Sequence, residues 1–331
     1  MLPPDSLLVI LVKLVDDVPM PPCPAQRGRG HPKVYGDRLF LKALVIMILR
    51  QLHTVHEFLS VLAQPTVEMQ TVRAHLTDMH GRFPSRRTWE RRLATIPDTL
   101  PGQIGYFGHA LVELLHPWLN CARAAAIDST VLRARGGVWH KKDRQADVVP
   151  HTSIDTEAAW TKSGWHGWVY GWKLHLVGTC AAVWIPLAAD LTAANRADNE
   201  QAPALIGELP ADLRFLLGDQ HYHDGDLESL CAQRRCILVT THNTKGHPYP
   251  HTDPGVEVRR ILHQTRSLAI ENFNEQFKGI FDGHGQVPTK GLRATRRFAL
   301  SAVFVYQLTL LYRHQIGADL RVGLKPFLKA A

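Results

Sequence analysis

The chain has 331 residues, 45% of them apolar, enough to bury a substantial core in one large domain or two ordinary ones. A formal net charge of +8 and a pI near 9.4 favour a partner carrying phosphate, such as nucleic acid, over a neutral one. Five cysteines, an odd number with no C-x-x-C pair, argue against a secreted disulfide framework or a zinc ribbon and fit a reducing cytoplasm.

The apolar run Leu7 to Val15 is too short to span a bilayer, lacks a basic segment before it and is interrupted by Lys13, so it reads as neither signal peptide nor membrane span. Pro19 to Pro32, rich in Pro, Gly and Arg, has linker composition. Residues 35 to 120 read as helices: Leu39, Leu44, Ile48 and Leu52 share a face, and Phe58 and Leu62 follow a turn near His53. Within this region Ser85 is placed to cap a helix carrying Arg86, Arg87, Arg91 and Arg92, with Trp89 and Leu93 inward at i and i+4. That pattern suits a helix gripping DNA, and equally an ordinary amphipathic surface helix.

From residue 122 the periodicity changes to short strand-like runs: Ala124 to Asp128, Trp172 to Val177, Val183 to Ala189, Arg214 to Asp219 and Cys236 to Thr240. Helices are predicted from Asp198 to Leu209 and from Asp224 to Gln233, and a further helix over 268–281 crosses the resulting mixed sheet. The expected fold class is α/β: a mixed five-stranded sheet with flanking helices, preceded by an all-helical N-terminal region. The expected division is 1–121 helical and DNA-binding, 122–315 catalytic, and 316–331 a tail. Phe298 to Tyr312, begun by Arg296 and Arg297, reads as a core helix, and no segment calls for a membrane. Net charge runs +4 over 1–125, −4 over 126–257 and +8 over 258–331, so basic flanks enclose an acidic middle. Uneven surface charge alone gives such a pattern, and so does an enzyme whose carboxylates hold cations while its arms grip a polyanion.

The chemistry concentrates in three acids. Asp128 ends the apolar run Ala124–Ile127, where an unpaired carboxylate is costly without a cation or hydrogen bonds. Asp219 repeats the arrangement after Leu216-Leu217-Gly218, and strand ends of this kind are where open α/β sheets bind ligands. Glu271 lies in a helical segment whose apolar face is Ile270, Phe273 and Phe277, with Lys278 two turns on and on nearly the same side; Glu275, one turn later, is the alternative acid. Three oxygen donors with open coordination suit Mg²⁺ or Mn²⁺, and a pair of such ions about 3.5–4 Å apart serves displacement at phosphorus.

These residues resemble the DDE transposases of bacterial insertion sequences. Ile127-Asp128-Ser129-Thr130 is similar to that family's first acidic element, Gly218-Asp219-Gln220-His221-Tyr222 to its second, and Glu271 followed by Lys278 to its third. Tyr170-Gly171-Trp172-Lys173-Leu174-His175 resembles its second-strand motif, and Leu191 to Asn195 with Asp198 resembles the segment after its third strand, so the likeness runs over roughly 122 to 312. Arg266 stands one place before the family's arginine, Gln264 occupies its tyrosine position, and His221 replaces a small residue.

The resemblance implies a ribonuclease-H-like catalytic domain with Asp128, Asp219 and Glu271 as catalytic metal ligands for two Mg²⁺ or Mn²⁺ ions. It implies Mg-dependent cleavage and strand transfer on double-stranded DNA, at terminal inverted repeats and target DNA, by a homodimer during synapsis. The place of action would be the cytoplasm, on the nucleoid when DNA is bound. Expected DNA contacts are Arg86, Arg87, Arg91, Arg92, Lys173, Arg266 and Lys278. Alternatives are a DNA-binding relative that has lost catalysis, and a His/Asp metallo-phosphoesterase using some of the 19 histidines, five of which (His221, His223, His242, His247, His251) lie near Asp219 in sequence. Trp139, Trp160, Trp165, Trp168 and Trp172, interspersed with Lys141, Lys142, Lys162 and Lys173, suit base stacking with phosphate contact, or core packing.

Overall fold

The computed structural model describes residues 6–22, 34–119, 121–164, 167–240, 254–280 and 285–321, with 323 and 328. Six helices lead the chain: α1 (Leu7–Leu14), α2 (Asp37–Leu49), α3 (Val55–Leu62), α4 (Val67–Ala74), α5 (Arg86–Thr95) and α6 (Leu100–Leu115). Their starts are written in the sequence. Ser6, Thr66 and Ser85 accept a backbone N–H from the first turn of α1, α4 and α5, and Thr54 with Glu57 forms a reciprocal capping box on α3. The apolar run at the N-terminus is a core helix, with Leu8, Leu11 and Val12 fully buried. Trp89 of α5 is buried as its spacing predicts, edge-on to Phe40 and Phe58 with ring centroids 5.1 Å away, and tilted against Phe83.

The second part holds β1 (Ala124–Arg133), α7 (Lys141–Gln145), β2 (Ala159–Ser163), β3 (Gly167–Thr179), β4 (Pro186–Ala193), α8 (Asp198–Gly207), β5 (Phe215–Gly218), α9 (Gly225–Gln233) and β6 (Ile237–Thr240). Two long helices follow, α10 (Pro254–Ile280) and α11 (Leu292–Gln315). The sheet runs β2-β3-β1-β5-β6, with β4 also on β3. β1–β5 and β5–β6 are parallel and the other pairs antiparallel, which is the mixed sheet expected.

The sheet has six strands where five were expected. β3 is long enough to carry two partners in tandem on one edge: Gly167–Gly171 pairs with β2, and Trp172–Gly178 with β4. β2 escaped notice because Ala-Trp-Thr-Lys-Ser is short, without a clear apolar alternation, and draws its stability from pairing. β1 continues five residues past Asp128, since Ser129 to Arg133 stay paired with His175 to Gly171, and a carboxylate in mid-strand reads in sequence as a strand end. The expected helices after Asp198 and Asp224 are present.

One hydrophobic core joins the N-terminal helices to the sheet. α11 runs through its centre, buried continuously from Ala299 to Leu310, and packs on α6, β4 and α2. Buried Gln307 pins the three layers: its Nε2 donates to the carbonyls of Ile104 on α6 (2.8 Å) and Pro186 on β4 (2.9 Å). Gly108 allows the close approach of α6, because a Cβ there would lie 2.4 Å from the Pro186 carbonyl oxygen. Among the described residues no helix is long and apolar enough to cross a membrane.

Candidate active site

Pairing fixes where the two aspartates meet. Ala126 of β1 and Leu217 of β5 are the last level pair of a parallel ladder; Asp128, two residues on in β1, and Asp219, just past the end of β5, lie close enough that the charge of Asp219 acts on the Asp128 carboxyl. Here β5 ends and its parallel pairing with β1 stops, which opens the kind of crevice in which such sheets bind ligands. β1 and β5 diverge here, since the last paired residues are Ala126 and Leu217.

The crevice is short of positive charge. The Asp128 side chain is 21% exposed, accepts the Ser129 N–H at 2.8 Å, and has its Oδ2 3.5 Å from Nη2 of Arg266. Burial pushes its carboxyl up to about 6; Arg266 opposes that rise and the charge of Asp219 adds to it. Asp219 caps the 3₁₀ turn Gln220–Tyr222, with Oδ1 accepting the His221 N–H at 2.8 Å and Oδ2 lying 3.0 Å from His221 Nδ1. Tyr222 packs over Gly218, buried with its hydroxyl unpartnered among the described residues. Burial, and then the carboxylates of Asp198, Asp128 and Asp219, raise that phenol well above its ordinary value.

α10 lies across β1, β5 and β3, seated by Ile270, Phe273 and Phe277, with Phe273 stacked on Trp184 at 3.5 Å between ring centroids. Arg266 is buried on that helix, its Nε without a partner among the described residues. Lys278 is half-buried, and burial lowers its ammonium below the usual value while Glu275 and Asp128 oppose the shift. Glu271 is exposed and makes no hydrogen bond or ion pair among the described residues. Among those residues no three His, Cys, Asp or Glu side chains converge as a metal site. Asp128 and Asp219 are brought together, then, and Glu271 stands apart on the helix that covers them.

The donor chemistry suits a hard cation. Two carboxylates side by side, one driven toward its protonated form, are the arrangement a divalent ion relieves, and Arg266 now offsets it in part.

The other face carries a network of residues that the sequence singles out separately, Lys173 as an expected DNA contact and His175 and Asp198 within family-like segments, without linking them. Asp128 is level with Leu176 on β3, so Lys173 and His175 project from the opposite pleat face. Lys173 Nζ lies 3.1 and 3.2 Å from the two carboxylate oxygens of Asp198 at the start of α8, and donates to the Arg196 carbonyl. His175 is fully buried, 2.8 Å from the Thr192 hydroxyl and 3.5 Å from Asp198; burial pulls its imidazole down to about 4. The signal in the sequence was Lys173-Leu174-His175 itself, polar groups alternating within an apolar strand.

On α5, Arg86 pairs with Glu90 and Arg92 with Asp37, whereas Arg87 and Arg91, exposed four residues apart, have no ion pair among the described residues. His221 lies against Asp219, and His223 approaches Thr240 and Glu228. His242, His247, His251 and Trp165 lie outside the described residues. Trp172 is core, Trp139 and Trp160 are half-buried, and Trp168 is exposed.

Residues 119–308 match the family described as Transposase DDE domain, more than half of the chain. The chain belongs to that family. The matched span begins just before β1 and ends within α11, so this transposase DDE domain contains Asp128, Asp219 and Glu271 together with the whole sheet. No curated protein matches the chain. A solved structure described as the piggyBac transposase synaptic complex with hairpin DNA is similar at 10% identity and a TM-score of 0.41, over 98% of this chain and 76% of that one.

Proposed function

We propose that this transposase binds the ends of an insertion sequence and performs Mg²⁺-dependent cleavage and strand transfer on double-stranded DNA. The observation that carries the reading is the proximity of Asp128, in the middle of β1, to Asp219, just past the end of β5, inside the matched span, with Asp128 driven toward its protonated form. Asp128 and Asp219 would hold the divalent ions, Mg²⁺ or Mn²⁺, with Glu271 from α10 as the third oxygen donor. The ions would supply charge neutralisation at the phosphoryl group and a nucleophile at neutral pH.

Within this reading the chain's own groups divide the work. Arg266 balances Asp128 before the ions enter, and Lys278, within electrostatic reach of Asp128, contacts the DNA backbone beside the cut. Region 1–121, with Arg87 and Arg91 foremost and Arg86 and Arg92 beside them, grips duplex phosphates, and 122–315 is the catalytic domain. Lys173, held by Asp198, keeps the start of α8 in register with β3. Hydrolysis at the element end exposes a 3′-hydroxyl, which attacks a target phosphodiester in a second displacement, with no covalent protein–DNA bond. Two ends brought together call for a homodimer, acting in the cytoplasm on nucleoid DNA.

The test is a strand-transfer assay using duplexes with the inverted repeats that flank the gene and a supercoiled target. Joined products that require Mg²⁺ support the reading. Specific binding to the repeats with no Mg²⁺- or Mn²⁺-dependent nicking would instead identify a DNA-binding relative without catalysis.

A further inference from the structure

Far from the paired aspartates, the segment between β1 and β3 builds a second feature. A cavity of about 760 Å³ opens between α7 and the β2–β3 hairpin, lined by His140, Lys141, Arg144, Gln145, Trp160 and Trp168. Pairing sets its floor: Trp168 is opposite Lys162 and Tyr170 opposite Trp160, so these four side chains share one pleat face. Trp160 is fixed there, its Nε1 donating to the Trp139 carbonyl at 2.8 Å and its ring 5.4 Å from that of Tyr170. Trp139 in turn donates to the Val148 carbonyl at 2.8 Å and carries the Arg144 guanidinium over its ring at 5.7 Å. The floor and the near wall are therefore preset.

Two properties of the cavity leave it open to a ligand. Trp168 is 68% exposed, a large ring left in water on a strand that buries its neighbours Val169 and Tyr170. Lys141 and Arg144 are exposed at the rim with no ion pair among the described residues. Flat aromatic faces beside unneutralised cations match a ligand offering π-faces on a polyanionic backbone. A duplex hides its base faces within the stack, and an unpaired strand offers them.

We propose that this cavity is a subsite for single-stranded DNA, with an unpaired base stacked on Trp168 and the adjoining phosphates held by Lys141 and Arg144. The position agrees with the site. Trp168 lies eight residues along β3 from Leu176, the partner of Asp128, and on the same pleat face, a separation of roughly 26 Å. That is about eight base steps of B-form DNA at 3.4 Å each. A DNA end lying over the paired aspartates would thus have a frayed or displaced strand within reach of the cavity. In linking the cavity to DNA the proposal rests on the transposase reading above.

The experiment measures fluorescence anisotropy of a labelled ten-residue oligothymidylate and of a blunt duplex carrying the element end with the native protein, Trp168→Ala, Trp168→Phe and Lys141→Ala/Arg144→Ala. The expected result is roughly tenfold weaker oligothymidylate binding by Trp168→Ala, recovery by Trp168→Phe, and a shallower salt dependence for the double variant. Duplex binding and Mg²⁺-dependent nicking of the blunt duplex should stay unchanged in all of them. Because Trp168 is exposed, equal melting temperatures will show that folding is intact. Oligothymidylate binding that is absent in the native protein, or equal in Trp168→Ala, overturns the subsite. If nicking is absent throughout while oligothymidylate binding depends on Trp168, the subsite stands and the transposase reading falls.

Discussion

Asp128 and His175 are both buried acid–base groups, and their shifts have opposite consequences for stability. The Asp128 carboxyl is near 6 in the folded, metal-free protein, above its ordinary value, so the fold holds this proton more tightly than the unfolded chain does. Its contribution to stability is full at pH below about 4 and is lost as pH rises through 6. In EDTA, Asp128→Asn should therefore be more stable to unfolding than the native protein at pH 7.5, by up to about 3 kcal/mol, with the gain vanishing near pH 4. His175, drawn down to about 4, is neutral in the fold, so stability is lost as pH falls from 6.5 toward 4, by about 3 kcal/mol. His175→Gln should flatten that acid limb in urea titrations at several pH values; an unchanged limb would mean the ring is accessible to protons in the fold. Asp128 and Asp219 were legible because an acid closing an apolar run is anomalous on its own. The Lys173–Asp198 pair was not, because the turn that returns the chain from β4 to α8 sets their contact across 25 positions.

At the scale of elements, the caps of α1, α3, α4 and α5 act within four residues, so their starts could be read directly from Ser6, Thr54, Thr66 and Ser85. β2 exists only through its five pairs with β3, a non-local cause that leaves little trace in Ala159 to Ser163. The approach of α6 to β4 is likewise invisible in sequence, although Gly105 and Gly108, three apart within a helix, are its mark. A methyl group at residue 108 meets backbone, which has no rotamer to yield. Gly108→Ala should consequently destabilise by roughly 1–3 kcal/mol despite the better helix propensity of alanine, read from the urea midpoint. Gly102→Ala, with open space around it, should not destabilise, and this separates packing from propensity.

In the whole molecule, basic ends flank an acidic centre, and the structure shows which cations are available. Two arginines of α5 are committed to Glu90 and Asp37, leaving Arg87 and Arg91. Replacing both with alanine should lower the slope of log affinity against log salt on duplex DNA by about 2, near 0.9 per phosphate contact, while Arg86→Ala changes it little. An unchanged slope would place the DNA on another face. The proposed catalysis depends on Asp128 and Asp219, whose charges act on each other, and on Glu271, exposed on α10. An amide keeps the shape of each acid and removes the charge a hard cation needs. The decisive measurement is Mg²⁺-dependent nicking of a duplex carrying the element end by Asp128→Asn, Asp219→Asn and Glu271→Gln, each first shown to fold and to bind that DNA. The account predicts that all three bind and none nicks; near-native nicking by any of them at ordinary Mg²⁺ would contradict it, and if that variant is Glu271→Gln the third ligand must be sought elsewhere, first at Glu275.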